Sequence, residues 1–166
     1  MNNIFKVNGK TSFGMLAVSI IISEGTGALS ALAVGGAFNL NQQNIIQPSF
    51  APPASVFGPV WTVLFFLMGL AAYRIWMYGY LNKGVKKAVL LYLVQLGLNF
   101  LWPILFFGLA LRGLAMVEIL VLLLFIILTT REFFRLDKLA GYLMFPYVLW
   151  VSFASILNYS IWMLNR

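Results

Sequence analysis

Two apolar stretches of the sequence carry polar and aromatic side chains at helical spacing. In residues 87–109 the row consists of Gln95, Asn99, Trp102 and Phe106. In residues 139–163 it consists of Trp150, Ala154, Leu157, Asn158 and Ile161. Steps of three and four residues put each row on one face of a helix. Such faces can line a pocket that orients an apolar ligand, or they can hydrogen-bond between helices as structural contacts. Residue types alone leave both interpretations open.

The tryptophans differ in their position along the apolar stretches. Trp61, Trp76 and Trp162 fall near the ends, where membrane proteins place a belt of interfacial aromatic residues. Trp150 falls near the middle of its stretch. We therefore interpret Trp150 as a packing residue or a pocket wall, with the small side chain of Ala154 leaving space beside it.

The residue inventory excludes several kinds of catalytic and metal site. The chain has no Cys and no His, which removes disulfides, zinc thiolate sites and Ser-His-Asp catalysis. No metal-ligand cluster, glycine-rich phosphate loop or nucleophile motif is present, and we expect no cofactor. Glu24 and Glu118 lie within apolar stretches, where acids are candidate proton or cation sites. The sequence leaves their roles open.

The composition predicts that membrane-spanning helices position these residues. Of 166 residues, 62% are hydrophobic and 9% are charged, whereas about a quarter of a typical soluble domain is charged. Five apolar stretches are long enough to cross a bilayer at about 20 residues each. They cover residues 13–38, 57–79, 87–109, 113–131 and 139–163. The runs are too continuous for the alternation of a barrel, so we predict one all-α domain over residues 1–166, an integral membrane bundle of five transmembrane helices.

The basic residues predict how the bundle is oriented. With five spans, nine of them fall on one side of the membrane: Lys6, Lys10, Arg74, Lys83, Lys86, Lys87, Arg131, Arg135 and Lys138. The other side has only Arg112 and Arg166. By the positive-inside rule, we expect a bacterial cytoplasmic membrane protein with its N-terminus inside and its C-terminus outside. The link 39–56 then lies outside.

Three segments carry further predictions. The second half of the link 39–56 begins the stretch QPSFAPPASVFGPVW over 47–61, which has four prolines and no charge. We interpret the link as a lid over a pocket. Residues 131–138 are rich in charge, and we expect a solvated turn there. Ser23, Gly27, Ala31 and Gly35 form a stripe of small residues that permits close packing within the chain or at a homodimer seam.

Three blocks in order resemble the TspO/MBR family, also called the translocator protein or peripheral benzodiazepine receptor family. They are PSFAPPASVFGPVW, QLGLNFLWPILFFG over 95–108, and GYLMFPYVLWVSFASILNYSIWMLN over 141–165. The resemblance implies a five-helix bundle, often dimeric, that binds hydrophobic planar or polycyclic ligands, notably porphyrins and sterols, between helices under the first loop. Carried over by position, the pocket residues are Phe50, Asn99, Trp102, Trp150, Ala154 and Leu157. Gln95 and Asn158 join them from the helical faces described above.

Two departures from the family pattern bear on function. Phe50 stands where the family has a loop tryptophan, so light-driven porphyrin breakdown that needs this indole should be weak. The family's sterol-recognition pattern fails, because six residues separate Tyr159 from Arg166 and the pattern allows at most about five. We therefore expect tetrapyrroles rather than sterols as ligands.

The leading hypothesis is a membrane receptor or transporter that binds a porphyrin-like or other hydrophobic polycyclic ligand. One alternative is an enzyme-like, light-dependent degradation of bound porphyrin. Another is a structural or regulatory membrane partner without a small ligand. The expected partners are the ligand, the lipid bilayer and, in the dimer interpretation of the small-residue stripe, a second copy of the chain. We expect no nucleic-acid partner.

Overall fold

Five long helices build the part of the protein that the structure describes. The computed structural model describes residues 4–37, 45–79 and 83–166. The helices are α1 (Phe13–Val34), α2 (Ala54–Trp76), α3 (Lys83–Pro103), α4 (Arg112–Leu136) and α5 (Lys138–Leu164). A π-helical turn, Ile104–Gly108, follows α3. All five helices are long and apolar enough to span a membrane, which confirms the predicted all-α membrane bundle.

Helix ends follow local chemistry rather than hydropathy alone. Ser12 begins α1, and its hydroxyl accepts a hydrogen bond from the backbone N–H of Met15. The helix ends at Val34 rather than at the predicted residue 38, because Gly35 has a φ of 50° and leaves the helical conformation. Residues 39–44 of the predicted lid lie outside the described residues.

The helices form a ring in the order α1, α2, α5, α4, α3, with α3 packed back against α1. Gly69 sets the distance between α1 and α2, since a Cβ at this position would lie 2.9 Å from the Cα of Ile20. The large apolar residues that point outward, such as Leu32 at 75% exposure, form the surface expected to contact lipid.

The small-residue stripe of α1 faces the protein's own bundle. Ser23 is fully buried and hydrogen-bonds with the hydroxyl of Tyr92 on α3. Gly27 packs against the ring of Phe65 on α2. The remaining two members, Ala31 and Gly35, line the cavity described below. A homodimer seam along this stripe stays a prediction.

A buried ion pair ties α2 to the junction of α4 and α5. Arg74 donates to both carboxylate oxygens of Asp137, from Nε at 3.2 Å and from Nη2 at 2.7 Å. Asp137 also caps α5 by accepting from the N–H of Ala140 at 2.9 Å. Burial opposes ionisation, but these hydrogen bonds and the guanidinium charge hold the pKa of Asp137 below its ordinary value.

The prediction of a solvated charged turn over 131–138 is therefore wrong. Helix α4 continues to Leu136, and Asp137 alone separates it from α5. Glu132 and Asp137 are both buried, because cations reach them from other turns and helices. Lys87 on α3 donates to Glu132 at 2.7 Å, and Arg135 lies within 3.1 Å of the same carboxylate. Because these ion pairs neutralise the buried carboxylate of Glu132, helix α4 can continue through its charged residues to Leu136.

Candidate functional site

A cavity of about 840 Å³ opens among α1, α2, α3 and α5. It lies in the half of the bundle next to the first loop, since it uses the C-terminal halves of α1, α3 and α5 and the N-terminal half of α2. Gln47 and Pro52 from the loop complete its lining. Its volume is within the range of about 300–1,000 Å³ that is typical of small-molecule sites.

Aromatic rings form two walls of the cavity. One wall comes from α2 and consists of Phe57, Trp61 and Phe65, spaced four residues apart. The other comes from α3 and the π-helical turn and consists of Trp102, Phe106 and Phe107. The rings of Trp102 and Phe106 stack with centroids 5.1 Å apart and planes 22° apart. Flat, apolar walls of this kind are suited to planar aromatic ligands.

The π-helical turn shapes the second aromatic wall. Pro103 has no backbone N–H and ends the regular α3 helix. The next turn closes with a bond from the N–H of Leu109 to the carbonyl of Ile104, five residues earlier, at 2.8 Å. This wider turn begins directly after Pro103 and carries Phe106 and Phe107, whose rings line the cavity. Such π-bulges are frequent at functional sites.

A buried hydrogen-bond chain holds Asn99 at the deep end of the cavity. Asn99 Nδ2 donates to the hydroxyl of Tyr147 at 2.5 Å, and this hydroxyl donates to Gln95 Oε1 at 2.9 Å. Of the three residues, Asn99 alone lines the cavity, and each is at most 4% exposed. Tyr147 thus connects the polar face of α3 to α5 and fixes the amide of Asn99.

Two buried polar atoms in the lining have no hydrogen-bond partner among the residues that the structure describes. Asn158 donates from Nδ2 to the sulfur of Met116 at 3.8 Å, but its Oδ1 has no partner. Trp102 Nε1 also has none, although the residue is only 9% exposed. Because an unsatisfied buried polar group costs about 1–3 kcal/mol, one acceptor and one donor are available to orient a ligand.

The described part of the first loop is fastened to the end of α5. Asn165 Nδ2 donates to the carbonyl of Ile46 at 2.9 Å, and the N–H of Ile46 donates to Asn165 Oδ1 at 2.9 Å. These two bonds hold the loop where Gln47 and Pro52 reach the lining.

The structure brings most, but not all, of the predicted site residues together. Those that line the cavity are Asn99, Trp102, Ala154, Leu157 and Asn158. Gln95 lies behind Asn99 in the hydrogen-bond chain. Phe50 and Trp150 are outside the lining. Phe50 is 48% exposed and meets Phe153 edge-on, while Trp150 lines a shallow outer groove and contacts Phe57 edge-on.

Sequence reasoning missed the contribution of α1 and α2. Trp61, interpreted as an interfacial belt residue, lines the cavity instead. The sequence did indicate an aromatic face here, because Phe57, Trp61 and Phe65 recur every four residues. Glu24 also lines the cavity from α1. Gly27 was predicted as part of the packing stripe and also lines the cavity, because its lack of a side chain leaves space there.

Comparison with known proteins identifies the family. The profile of the TspO/MBR family matches residues 17–163. The chain belongs to the TspO/MBR family. Two relatives are named "Tryptophan-rich protein TspO". The one from Archaeoglobus fulgidus is 41% identical to this chain over 145 residues, and the one from Chlorobaculum tepidum is 42% identical over 121 residues. These matches cover 82% and 73% of this chain, and 93% and 77% of the relatives.

A human relative named "Translocator protein" is 38% identical over 122 residues, 72% of each chain. Membership in the TspO/MBR family agrees with the five apolar helices, and the protein is a multi-pass membrane protein. Among the described residues, no group of three acidic, His or Cys side chains could hold a metal ion. The chemistry offered by this TspO/MBR cavity is stacking, burial of apolar surface and a few hydrogen bonds.

Proposed function

We propose that the cavity binds planar, hydrophobic polycyclic ligands of the porphyrin type, and that the protein acts as a receptor or transporter for them. The observation that carries this proposal is the cavity of about 840 Å³ between two aromatic walls. Stacking between a ligand ring and aromatic side chains adds to the free energy gained from burying apolar surface.

The polar atoms of the lining match the centre and edge of such a ligand. Asn158 Oδ1 can accept from a ring N–H, and Trp102 Nε1 can donate to a carbonyl or carboxylate substituent. The chain has no His or Cys to serve as axial ligand to an iron porphyrin. Metal-free porphyrin should therefore bind at least as tightly as haem.

The proposal includes an orientation in the membrane. The nine basic residues at one side of the bundle favour an N-terminus inside a bacterial cytoplasmic membrane. The first loop and the cavity mouth then face outward. A ligand would enter beside the loop that Asn165 fastens, from the outer aqueous phase or the outer leaflet.

Titration of the detergent-purified protein with protoporphyrin IX tests the proposal. Binding should shift the porphyrin absorption band and raise the melting temperature, since ligand at 100 times Kd stabilises the native state by about 2.7 kcal/mol. Trp102→Ala removes one stacking surface and should raise Kd about ten-fold. Trp76→Ala is the matched control, because Trp76 ends α2 away from the cavity.

Two results would contradict the proposal. One is the absence of both the spectral shift and the thermal stabilisation in the unmodified protein. The other is an equal change of Kd in the Trp102→Ala and Trp76→Ala variants, which would mean that the porphyrin does not bind in the cavity.

A further inference from the structure

An ionisable side chain lies at the deep end of the cavity. Glu24 is the first of the α1 residues that face the cavity, and Gly35 is the last. At 1.5 Å per residue, Glu24 lies about 16 Å deeper than Gly35. Glu24 is partly exposed and lines the cavity, so its side chain is within reach of a bound ligand.

Glu24 has no counter-charge in the described part of the cavity lining. It is the one acidic or basic residue among the described residues that line the cavity. No hydrogen bond or ion pair that connects described residues includes it. A carboxylate at this depth in a membrane is costly unless a cation or a strong donor meets it. A cation or a strong hydrogen-bond donor on a ligand would therefore stabilise the Glu24 carboxylate at the deep end of the cavity.

The neighbouring rings favour a cation as the group that meets this carboxylate. Phe65 packs against Gly27, one turn from Glu24, and its ring centroid is 5.6 Å from that of Trp61. The faces of such rings attract ammonium groups. An acidic substituent at the same place would be repelled by Glu24 and would find no cation in the described lining.

We infer that the deep end of the cavity, at Glu24, is a subsite for a protonated amine or similar cationic nitrogen on a planar apolar ligand. The inference rests on the proposed function, because it assigns polarity to the same cavity. Ligands with a cationic end insert that end first and leave acidic or neutral substituents at the mouth, near Gln47. A doubly acidic tetrapyrrole consequently binds with its carboxylates at the mouth.

Two probes of nearly equal shape test the subsite: 9-(aminomethyl)anthracene, a cation at neutral pH, and 9-anthracenemethanol, its neutral counterpart. Binding is measured by fluorescence with the full chain in nanodiscs of zwitterionic lipid, which limits electrostatic partitioning of the amine. The wild type should bind the amine at least about ten-fold more tightly than the alcohol, as a buried charge-assisted contact requires.

Variants assign this preference to one carboxyl group. Glu24→Gln keeps the size and loses the charge, so the two Kd values should converge to within about two-fold. Glu24→Asp keeps the charge and should retain a preference for the amine. Glu118→Gln is the matched control, because Glu118 is a buried intramembrane acid that does not line the cavity, and it should leave the preference unchanged.

The outcomes separate this inference from the proposed function. Equal binding of the two probes by the wild type, no binding of the amine, or an undiminished preference in Glu24→Gln overturns the subsite. Each of these results leaves the proposed function standing if protoporphyrin IX still binds in the same nanodiscs. Failure of protoporphyrin IX as well overturns the proposed function itself. Equal binding of the two probes by the wild type overturns the subsite even if the Glu24→Gln variant does not fold.

Discussion

Replacing Asp137 by Asn should destabilise the bundle far more than the loss of one surface charge. The side chains of Arg74 and Asp137 are only 9% and 4% exposed. Arg74 also donates to the carbonyl of Ile4 at 2.6 Å, so the pair holds the N-terminal segment against α2 as well. Asn is close to Asp in volume and can still accept from the N–H of Ala140, so the cap of α5 is retained.

The main effect of Asp137→Asn is a buried guanidinium group without a counter-charge. Breaking a buried pair in this way costs about 3–5 kcal/mol. The pair Lys87–Glu132 is the comparison, because the Lys87 side chain is 61% exposed and Arg135 still pairs with Glu132 when Lys87 is replaced. Lys87→Met should cost no more than about 1 kcal/mol.

Unfolding by sodium dodecyl sulfate in mixed micelles, followed by tryptophan fluorescence and circular dichroism, compares the two variants. We expect Asp137→Asn to lower the free energy of unfolding by about 3 kcal/mol. A loss equal to that of Lys87→Met would refute the reasoning, because it would mean that the Arg74 charge is solvated in the folded state.

Acid should weaken the same pair. The pKa of Asp137 is lower in the folded protein than its ordinary value of 3.8. The stabilisation it supplies is therefore complete above pH 3.8 and is lost as the pH falls through the lower folded-state value. Asp137→Asn should remove this part of the pH dependence of the unfolding free energy. If the variant loses stability in acid just as the wild type does, Asp137 is not the group responsible.

Two further predictions concern groups around the cavity. Tyr147→Phe leaves Gln95 and Asn99 without their shared partner, so we expect a loss of about 1–3 kcal/mol in unfolding free energy and weaker porphyrin binding; unchanged stability would contradict the hydrogen-bond chain. Asn165→Ala releases the loop at Ile46, and stopped-flow fluorescence should show protoporphyrin IX dissociating about three- to ten-fold faster. An unchanged dissociation rate would show that the fastened loop does not control exit.

The fold was predictable because hydropathy and length dominate it. In a bilayer, every backbone polar group must be satisfied within the chain, so long apolar stretches become helices. The helix ends were less predictable, since they depend on contacts distant in sequence. Helix α4 runs on through Glu132 because Lys87, 45 residues away, meets that carboxylate.

The candidate site was predictable where residue types carry a signal. Asn99 and Asn158 stand out because amides are rare in apolar helices, and the structure places both in the cavity lining. Trp61 was ambiguous, because an aromatic residue near a helix end serves equally well at a membrane interface. Phe50 was assigned through family resemblance, and Trp150 through its helical face and depth as well; both rings pack on Phe153, and neither lines the cavity.

The central claim, that the intrabundle cavity is the ligand site, is tested most directly by filling it. Ala154 on α5 lines the cavity, whereas Ile156 on the same helix is 60% exposed on the outer surface of the bundle. Ala154→Phe should raise the Kd for protoporphyrin IX at least about ten-fold, while Ile156→Phe should change it less than about two-fold. Unchanged binding in Ala154→Phe, with the fold intact, would contradict the account.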